Sequence, residues 1–380
     1  MPGIRKQYHR HHQLLNKRMS GLSPRLLPAL FLLLTVVPAA TAPRVPERKV
    51  IVPENAAKPV GPYSPGVLTS EYLYVSGQGV RDAANTMPAT VAAQAKQCLE
   101  NVRAIVNAAG LTMDHVVHMQ LYLERLSDLA EVDRVYTGYF PHHPPARVVI
   151  GVSKMPTDTP IEMTAVAVRD INQKKIMTIN ALPPLGHASS AVRAGGRVYL
   201  SGVYGKTPAA AEARLKKVLA EIRMKPSHIV WRNDYARAAT ATVPANELPL
   251  QSEAAISSIA ARDATGGKTP AAICRADGKT VFCTAQTGVD DNAATVQEQV
   301  KAVMEKLYAG LQQHGATLPD VTASNVYLDD IREFRQMNET YASFFSASPP
   351  TRTTVQPFPV VNRAEGKPAL VRISVIAVKE

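Results

Sequence analysis

Pro144-Pro145-Ala146-Arg147 closes a run, residues 89–147, that aligns without a gap on residues 294–352, which close in Pro349-Pro350-Thr351-Arg352. The offset is 205 residues throughout. Ala89-Thr90-Val91 answers Ala294-Thr295-Val296, the strand-like stretch 116–123 answers 321–328, and Tyr136 and Phe140 of a second helix answer Tyr341 and Phe345. Solenoid units recur every ~20–50 residues. Self-similarity at a much longer distance means duplicated whole domains.

The local pattern fixes what is duplicated. Val67-Leu68 and Tyr72–Ser76 are short apolar strands around Ser70-Glu71, a hairpin signal. Residues 89–109 carry apolar side chains at helical spacing and stop at Gly110. A strand (116–123), a helix (about 128–140) and strands at 147–152 and 161–168 follow. The order β-β-α-β-α-β-β predicts an α+β layer with its helices on one face of the sheet.

A weaker echo begins further on. Gly186–Gly202 matches Gly61–Gly77 at an offset of 125, and a helix (210–224) and a strand (228–235) continue it. No closing strand pair is visible before Gly266-Gly267-Lys268 leads into the last hairpin. The chain therefore divides into a leader (1–42), a linker (43–57) marked by Pro43, Pro46 and Pro53, a first domain (58–172), a degenerate repeat (176–265) and a last domain (266–380). Three hairpin starts, at 67, 192 and 273, predict an internal pseudo-trimer, with a homo-oligomer as the alternative.

At 380 residues, 46% hydrophobic and 19% charged, the chain can build two or three cores. Of the formal charge of +12, six units are Arg5, Lys6, Arg10, Lys17, Arg18 and Arg25, which precede any acidic residue. The remaining +6 contains no basic run dense enough for a nucleic-acid patch, so no nucleic-acid partner is expected. Leu26–Val37 is an apolar run behind that basic segment, followed by Pro38-Ala39-Ala40-Thr41-Ala42, the layout of a secretory signal peptide. An apolar run of 12 is too short for an ordinary transmembrane helix of about 20 residues. The expectation is an exported protein, periplasmic or secreted, with no membrane span after cleavage; an uncleaved anchor is the alternative.

Gly61-Pro62-Tyr63-Ser64, Val75-Ser76-Gly77-Gln78, Val135-Tyr136 with Tyr139-Phe140, Pro145-Ala146-Arg147 and Ile161–Val168 occur in an order and spacing that resemble the reactive-intermediate deaminase A (RidA, also YjgF) family. The resemblance spans the whole first domain. It implies tandem RidA-like (chorismate-mutase-like) α+β domains on a mixed sheet and a trimeric arrangement with ligand clefts between neighbours. It also implies hydrolysis of enamine/imine intermediates, such as 2-aminoacrylate and 2-imino acids, to 2-keto acids and ammonia, without a cofactor.

The residue types suit that chemistry. A 2-imino acid presents a carboxylate, which a guanidinium grips bidentately; Arg147 is the expected clamp. Water attacking the C=N carbon needs a carboxylate within one hydrogen bond, and Glu162 is similar to the family's water-positioning glutamate. By the same resemblance Tyr63, Ser76, Gly77 and Tyr136 line the cleft. Asp133 stands where the family has asparagine, a departure that weakens carboxylate binding unless Asp133 points away or pairs with Arg134 or Arg103. In the last domain Arg352 and Asn338 survive, but Thr284-Ala285-Gln286 replaces Ser-Gly-Gln and Arg372 replaces Glu162, leaving an anion site at most. The middle repeat has Ala188 at the tyrosine position, and its arginine position falls near Ala272.

Other chemistries find little support. Three cysteines without a CxxC and without a Cys/His cluster argue against a metal site, and His142-His143 lies in a loop. Gly266-Gly267-Lys268-Thr269 lacks the flanking strand and helix of a phosphate loop. Two function classes remain: an imine deaminase, and a non-catalytic protein of the same fold that binds small carboxylates or acts as a scaffold. Finally, turns at Ser70-Glu71, Gly195-Gly196 and Gly278-Lys279 bring Cys274 opposite Cys283 at a non-hydrogen-bonded pair, within disulfide reach. A turn centred on Asp277-Gly278 would instead face Cys274 with Val281.

Overall fold

The computed structural model describes residues 48–54, 56–238, 242–265, 273–289, 293–345, 348–360 and 368–379. In the first repeat the elements are β1 (Arg48–Ile51), β2 (Gly66–Thr69), β3 (Tyr72–Gln78), α1 (Val91–Ala108), β4 (Val116–Leu123), α2 (Leu129–Tyr139), β5 (Ala146–Gly151) and β6 (Ile161–Val168). Thr90 caps α1 by accepting from the Ala93 N–H. The sheet order is β1-β2-β3-β6-β4-β5, antiparallel except for β4 and β5. The segment expected to be a linker thus contains an edge strand, because the residues between Pro46 and Pro53 pair with β2 through Arg48↔Thr69 and Ile51↔Gly66.

The middle repeat is more complete than its sequence suggests. It comprises β7 (Lys174–Met177), β8 (Ala191–Ala194), β9 (Arg197–Leu200), β10 (Val203–Gly205), α3 (Pro208–Glu221), β11 (Ile229–Ala236), β12 (Val243–Pro244) and β13 (Ala254–Ala261). Its closing strands do exist; only residues 237–242 separate β11 from β12, where 124–145 separate β4 from β5 and carry α2. Loss of that helix removed the periodic signal that would have located them. The register Tyr235↔Val243 matches Tyr122↔Ile150, so the arginine position is 240, not near Ala272, and lies outside the described residues.

The last repeat has β14 (Cys274–Asp277), β15 (Thr280–Thr287), α4 (Val296–Gln312), β16 (Val321–Leu328), α5 (Phe334–Ala342), β17 (Thr351–Val355) and β18 (Val371–Val378), in sheet order β14-β15-β18-β16-β17. Its hairpin pairs Cys274 with Cys283, and the two are disulfide-bonded, with Gly278 in the first central turn position at φ +58°. Cys98 is a buried free thiol in α1.

Residues 45–380 form one compact unit. Each sheet buries both faces, so its strands read as continuous apolar runs. Leu73 and Val75 face α1 in the first core, whereas Tyr72 and Tyr74 face a core shared with Tyr199 and Trp231 of the middle repeat and Phe282 and Ile376 of the last. A second shared core holds Tyr122, Tyr235 and Tyr327, which occupy equivalent positions on β4, β11 and β16. Gln120 Nε2 donates to the hydroxyls of Tyr122 (2.7 Å) and Tyr235 (2.8 Å), and Asn233 Nδ2 donates to Tyr327 Oη (2.8 Å). At the hairpin-turn end, Arg197 from the middle repeat is buried over the Tyr72 ring (4.6 Å), pairs with Asp277 (2.7 Å) and donates to Thr280 Oγ1 (2.7 Å).

Candidate active site

The Gly61–Ser64 turn of the first repeat docks on the proline pair of the last. Ser64 N–H donates to Pro350 O (3.0 Å) and Ser64 Oγ to Pro349 O (2.5 Å). The middle repeat repeats the contact on the first: Ser189 N–H donates to Pro145 O (3.2 Å) and Ser189 Oγ to Pro144 O (2.6 Å). An arginine that follows a proline pair is therefore delivered into the neighbouring repeat's cleft, not its own.

That rule decides which residues meet. Tyr63, Gly77 and Glu162 of the first repeat share one cleft of about 810 Å³, open mouth included, with Phe334, Arg352 and Thr354 of the last. Ser76, expected to line the cleft, is buried and is not among its lining residues; it accepts a hydrogen bond from Gln78 Nε2 (2.8 Å). Arg352 is 3% exposed, and both terminal nitrogens lack a hydrogen-bond partner. Its guanidinium carbon lies 5.4 Å from the Tyr63 ring, 4.9 Å from Tyr341 and 5.6 Å from Phe334. A Cβ on Gly61 would come within 2.6 Å of Arg352 Nη2 and 3.0 Å of the Asn338 amide, so asparagine and guanidinium lie together against that turn.

Glu162 is buried, and one carboxylate oxygen has no partner. Burial pushes its carboxyl up to about 8, against a smaller downward pull from Arg352. A Cβ on Gly77 would come within 2.0 Å of that carboxylate, so only glycine lets Glu162 lie along the β3 backbone. Burial likewise raises Tyr63, whose hydroxyl accepts from the Val60 N–H (3.3 Å), and lowers Arg352. An unpaired buried guanidinium beside a carboxyl that is largely protonated at neutral pH is an arrangement that accepts an anion.

Arg147 does not join Glu162. It faces the middle repeat, where Asp133 Oδ1 takes its Nη1 at 2.5 Å, Leu185 O takes Nη2 at 2.7 Å, and the Tyr136 ring lies 4.8 Å away. Asp133 is the positional counterpart of Asn338, so the single Asn-to-Asp difference supplies an internal carboxylate that occupies the clamp. Opposite Arg147, Ala188 stands in the position of Tyr63 and Ala255 in that of Glu162, while Tyr204 donates to Val149 O (3.1 Å). The expectation that Arg147, Asp133 and Tyr136 line a cleft with Glu162 is thus corrected, because the clamp acts across repeats. Arg372 is not among the residues that line the cleft around Arg352. Among the described residues no group of three or more His, Cys, Asp or Glu could hold a metal ion, and no helix is long and apolar enough to cross a membrane.

The Endoribonuclease L-PSP family model matches residues 53–169 and again 265–379. A 2-iminobutanoate/2-iminopropanoate deaminase of Escherichia coli is 42% identical over 125 residues, 32% of this chain and 98% of that protein. A RutC family protein of Pyrococcus horikoshii is 37% identical over 125 residues, 32% of this chain and 99% of its own length. Among solved structures, the YjgF gene product of E. coli is 40% identical over 32% of this chain and 99% of that chain, with a TM-score of 0.31. Two matches on one polypeptide, each about one repeat long, make this chain a tandem member of the Endoribonuclease L-PSP family, the RidA/YjgF group.

Proposed function

We propose that the chain hydrolyses 2-imino acids and their enamine tautomers to 2-keto acids and ammonia, at the cleft between its first and last repeats. The observation that carries this reading is the pairing of unpartnered Arg352 with buried Glu162 in one cleft. Two close relatives by sequence, from E. coli and Salmonella typhimurium, bear the name of that activity. In this reading the three repeats take the places of three subunits, and only one of the three clefts works.

Arg352 would grip the substrate carboxylate with its two free nitrogens, and Tyr63 would pack over the planar imine. Glu162, protonated below about pH 8, donates its proton to the imine nitrogen. The carboxylate so formed takes a proton from the attacking water as oxygen bonds to the C2 carbon. It returns that proton to nitrogen, and as the C–N bond breaks and ammonia leaves, the C2 hydroxyl gives its proton to the Glu162 carboxylate, which restores the acid and leaves the 2-keto acid. The oxyanion-free path suits a site with one titratable group and one fixed cation.

The test is ammonia or keto-acid release from freshly generated 2-iminopropanoate. Binding of 2-keto acids without turnover would instead favour the non-catalytic carboxylate binder. We further propose export, supported by the Leu26–Val37 run and by the Cys274–Cys283 bond; N-terminal sequencing of the mature protein checks it.

A further inference from the structure

The positive charge of the folded part is concentrated in the repeat that lacks a working cleft. Residues 174–265 carry 13 Lys/Arg against 6 Asp/Glu, whereas 48–173 carry 11 against 12 and 266–380 carry 12 against 12. Much of this excess converges on one place. Lys175 and Arg193 are directly opposed on β7 and β8, and both are exposed. Like charges facing each other across strands are destabilising. Arg193 Nε donates to Gly195 O in the β8–β9 turn, and Arg262 follows Ala261, which pairs with Arg197 just beyond that turn. Arg262 in turn donates to Ile222 O, next to exposed Arg223 and Lys225. Nearby Glu221 is engaged in capping the Asn180 and Ala181 N–H groups, which leaves Asp263 as the acidic neighbour in sequence.

Arg223 is the informative member. It adopts φ +55° just past the end of α3, the left-handed position that Gly110 (φ +77°) and Gly315 (φ +68°) occupy in the other two repeats. A side chain there is disfavoured where glycine is free. An exposed arginine held in that backbone state points to use of its charge.

We propose that this end of the middle repeat is a docking face for a bilayer rich in anionic lipid. Two observations select a membrane over other polyanions. The cations spread over a strand pair and a helix end without interleaved exposed aromatic rings, and the single tryptophan, Trp231, is buried. Ile171 (40%) is exposed in the short turn that leads into β7, as a bilayer-contacting surface allows. Glu71, in the β2–β3 turn, lies 3.6 Å from Arg197 just beyond the β8–β9 turn, so the two turns share this end. Gly77 and Glu162 sit at the opposite ends of β3 and β6 from that turn, so a docked molecule keeps its cleft facing solution.

The test compares the full chain with two full-chain variants, R193E/R223G/K225E/R262E and the milder R223G/K225T, which restores the residue types found in the first repeat. Each is sedimented with vesicles of phosphatidylcholine alone or mixed with phosphatidylglycerol, at low and high salt, and with a single-stranded RNA as competitor; circular dichroism checks folding. The expected result is binding to phosphatidylglycerol vesicles only, weakened by salt, at least about tenfold weaker in the fourfold variant and partly weaker in the double one. Equal binding by all three chains, equal binding to neutral vesicles, or RNA binding without vesicle binding would overturn it. If the fourfold variant does not fold, the double variant decides.

Discussion

Arg352 and Arg147 follow the same proline pair in two copies of one domain, yet they should respond to removal in opposite ways. Arg352→Ala deletes a buried cation whose terminal nitrogens have no hydrogen-bond partner among the described residues and which is held among the Tyr63, Phe334 and Tyr341 rings. Stability should therefore change little or rise, because an uncompensated buried charge is lost. Turnover should fall. Two charge-assisted hydrogen bonds to a substrate carboxylate, each about 1.5–3 kcal/mol gross, leave roughly 3 kcal/mol after solvent competes, or about a hundredfold in kcat/KM. Arg147→Ala breaks a buried pair with Asp133, a bond to Leu185 O and the contact with Tyr136. Stability should fall by about 3 kcal/mol, while kcat/KM of the folded protein stays within about twofold. The assays are ammonia release from 2-iminopropanoate and denaturant unfolding on the same samples. A folded Arg147→Ala protein without turnover, beside an active Arg352→Ala, would refute the assignment of the working cleft.

Glu162→Gln should lower turnover at least about a hundredfold and change the pH dependence of stability. The folded pKa of Glu162 is raised from 4.5 to about 8, so the protonated carboxyl stabilises the fold below pH 4.5 and that contribution is lost as pH rises through 8. The Gln variant keeps a neutral group, so above pH 8 it should be more stable than the parent by a few kcal/mol, and near pH 4 the two should converge, as read by thermal unfolding. Activity of the parent should decline above about pH 8 with the same group. Replacing Cys274 and Cys283 with Ala opens a loop closed at a sequence separation of 9 and should cost about 2–3 kcal/mol in urea; an unchanged midpoint would count against a formed bond. Because the whole cleft belongs to one chain, specific activity should not fall on dilution to nanomolar concentrations, and a loss on dilution would show that a second chain completes it.

Much of the fold was legible because local pattern and tertiary position agree. The 116–123 and 161–168 strands and the α1 stop before Gly110 follow from spacing and turn chemistry, whereas spacing leaves the Cys274 register open between two turns and the structure selects Cys283 as its partner. The cleft was half legible: Tyr63, Gly77 and Glu162 come from one copy and line it together, whereas Ser76 is buried beside them. The clamp was misassigned because a repeat offset reports what copies share, not which copy's arginine enters which cleft. That choice is made by the Ser64 and Ser189 contacts with proline carbonyls nearly 300 and 45 residues away in the chain, respectively. The signal that could have corrected it was Asp133, a carboxylate at an anion site: it pairs with Arg147 itself, whereas Arg134 and Arg103, the expected partners, pair with Glu131 and Glu100. Edge strand β1 was hidden among prolines and charges, which edge strands tolerate.

Arg197 occupies the position that Tyr72 fills in the first repeat and Thr280 in the last, and it bridges both of them. In an assembly of identical subunits this side chain would appear three times around one axis, and three guanidinium groups would converge where two carboxylates, Asp277 and Glu71, now serve one. Covalent linkage removes that constraint. The three repeats act as differently cut keys: none can replace another, none can self-assemble by the same contacts, and the circular order first, middle, last is written into side chains as well as into the connecting chain.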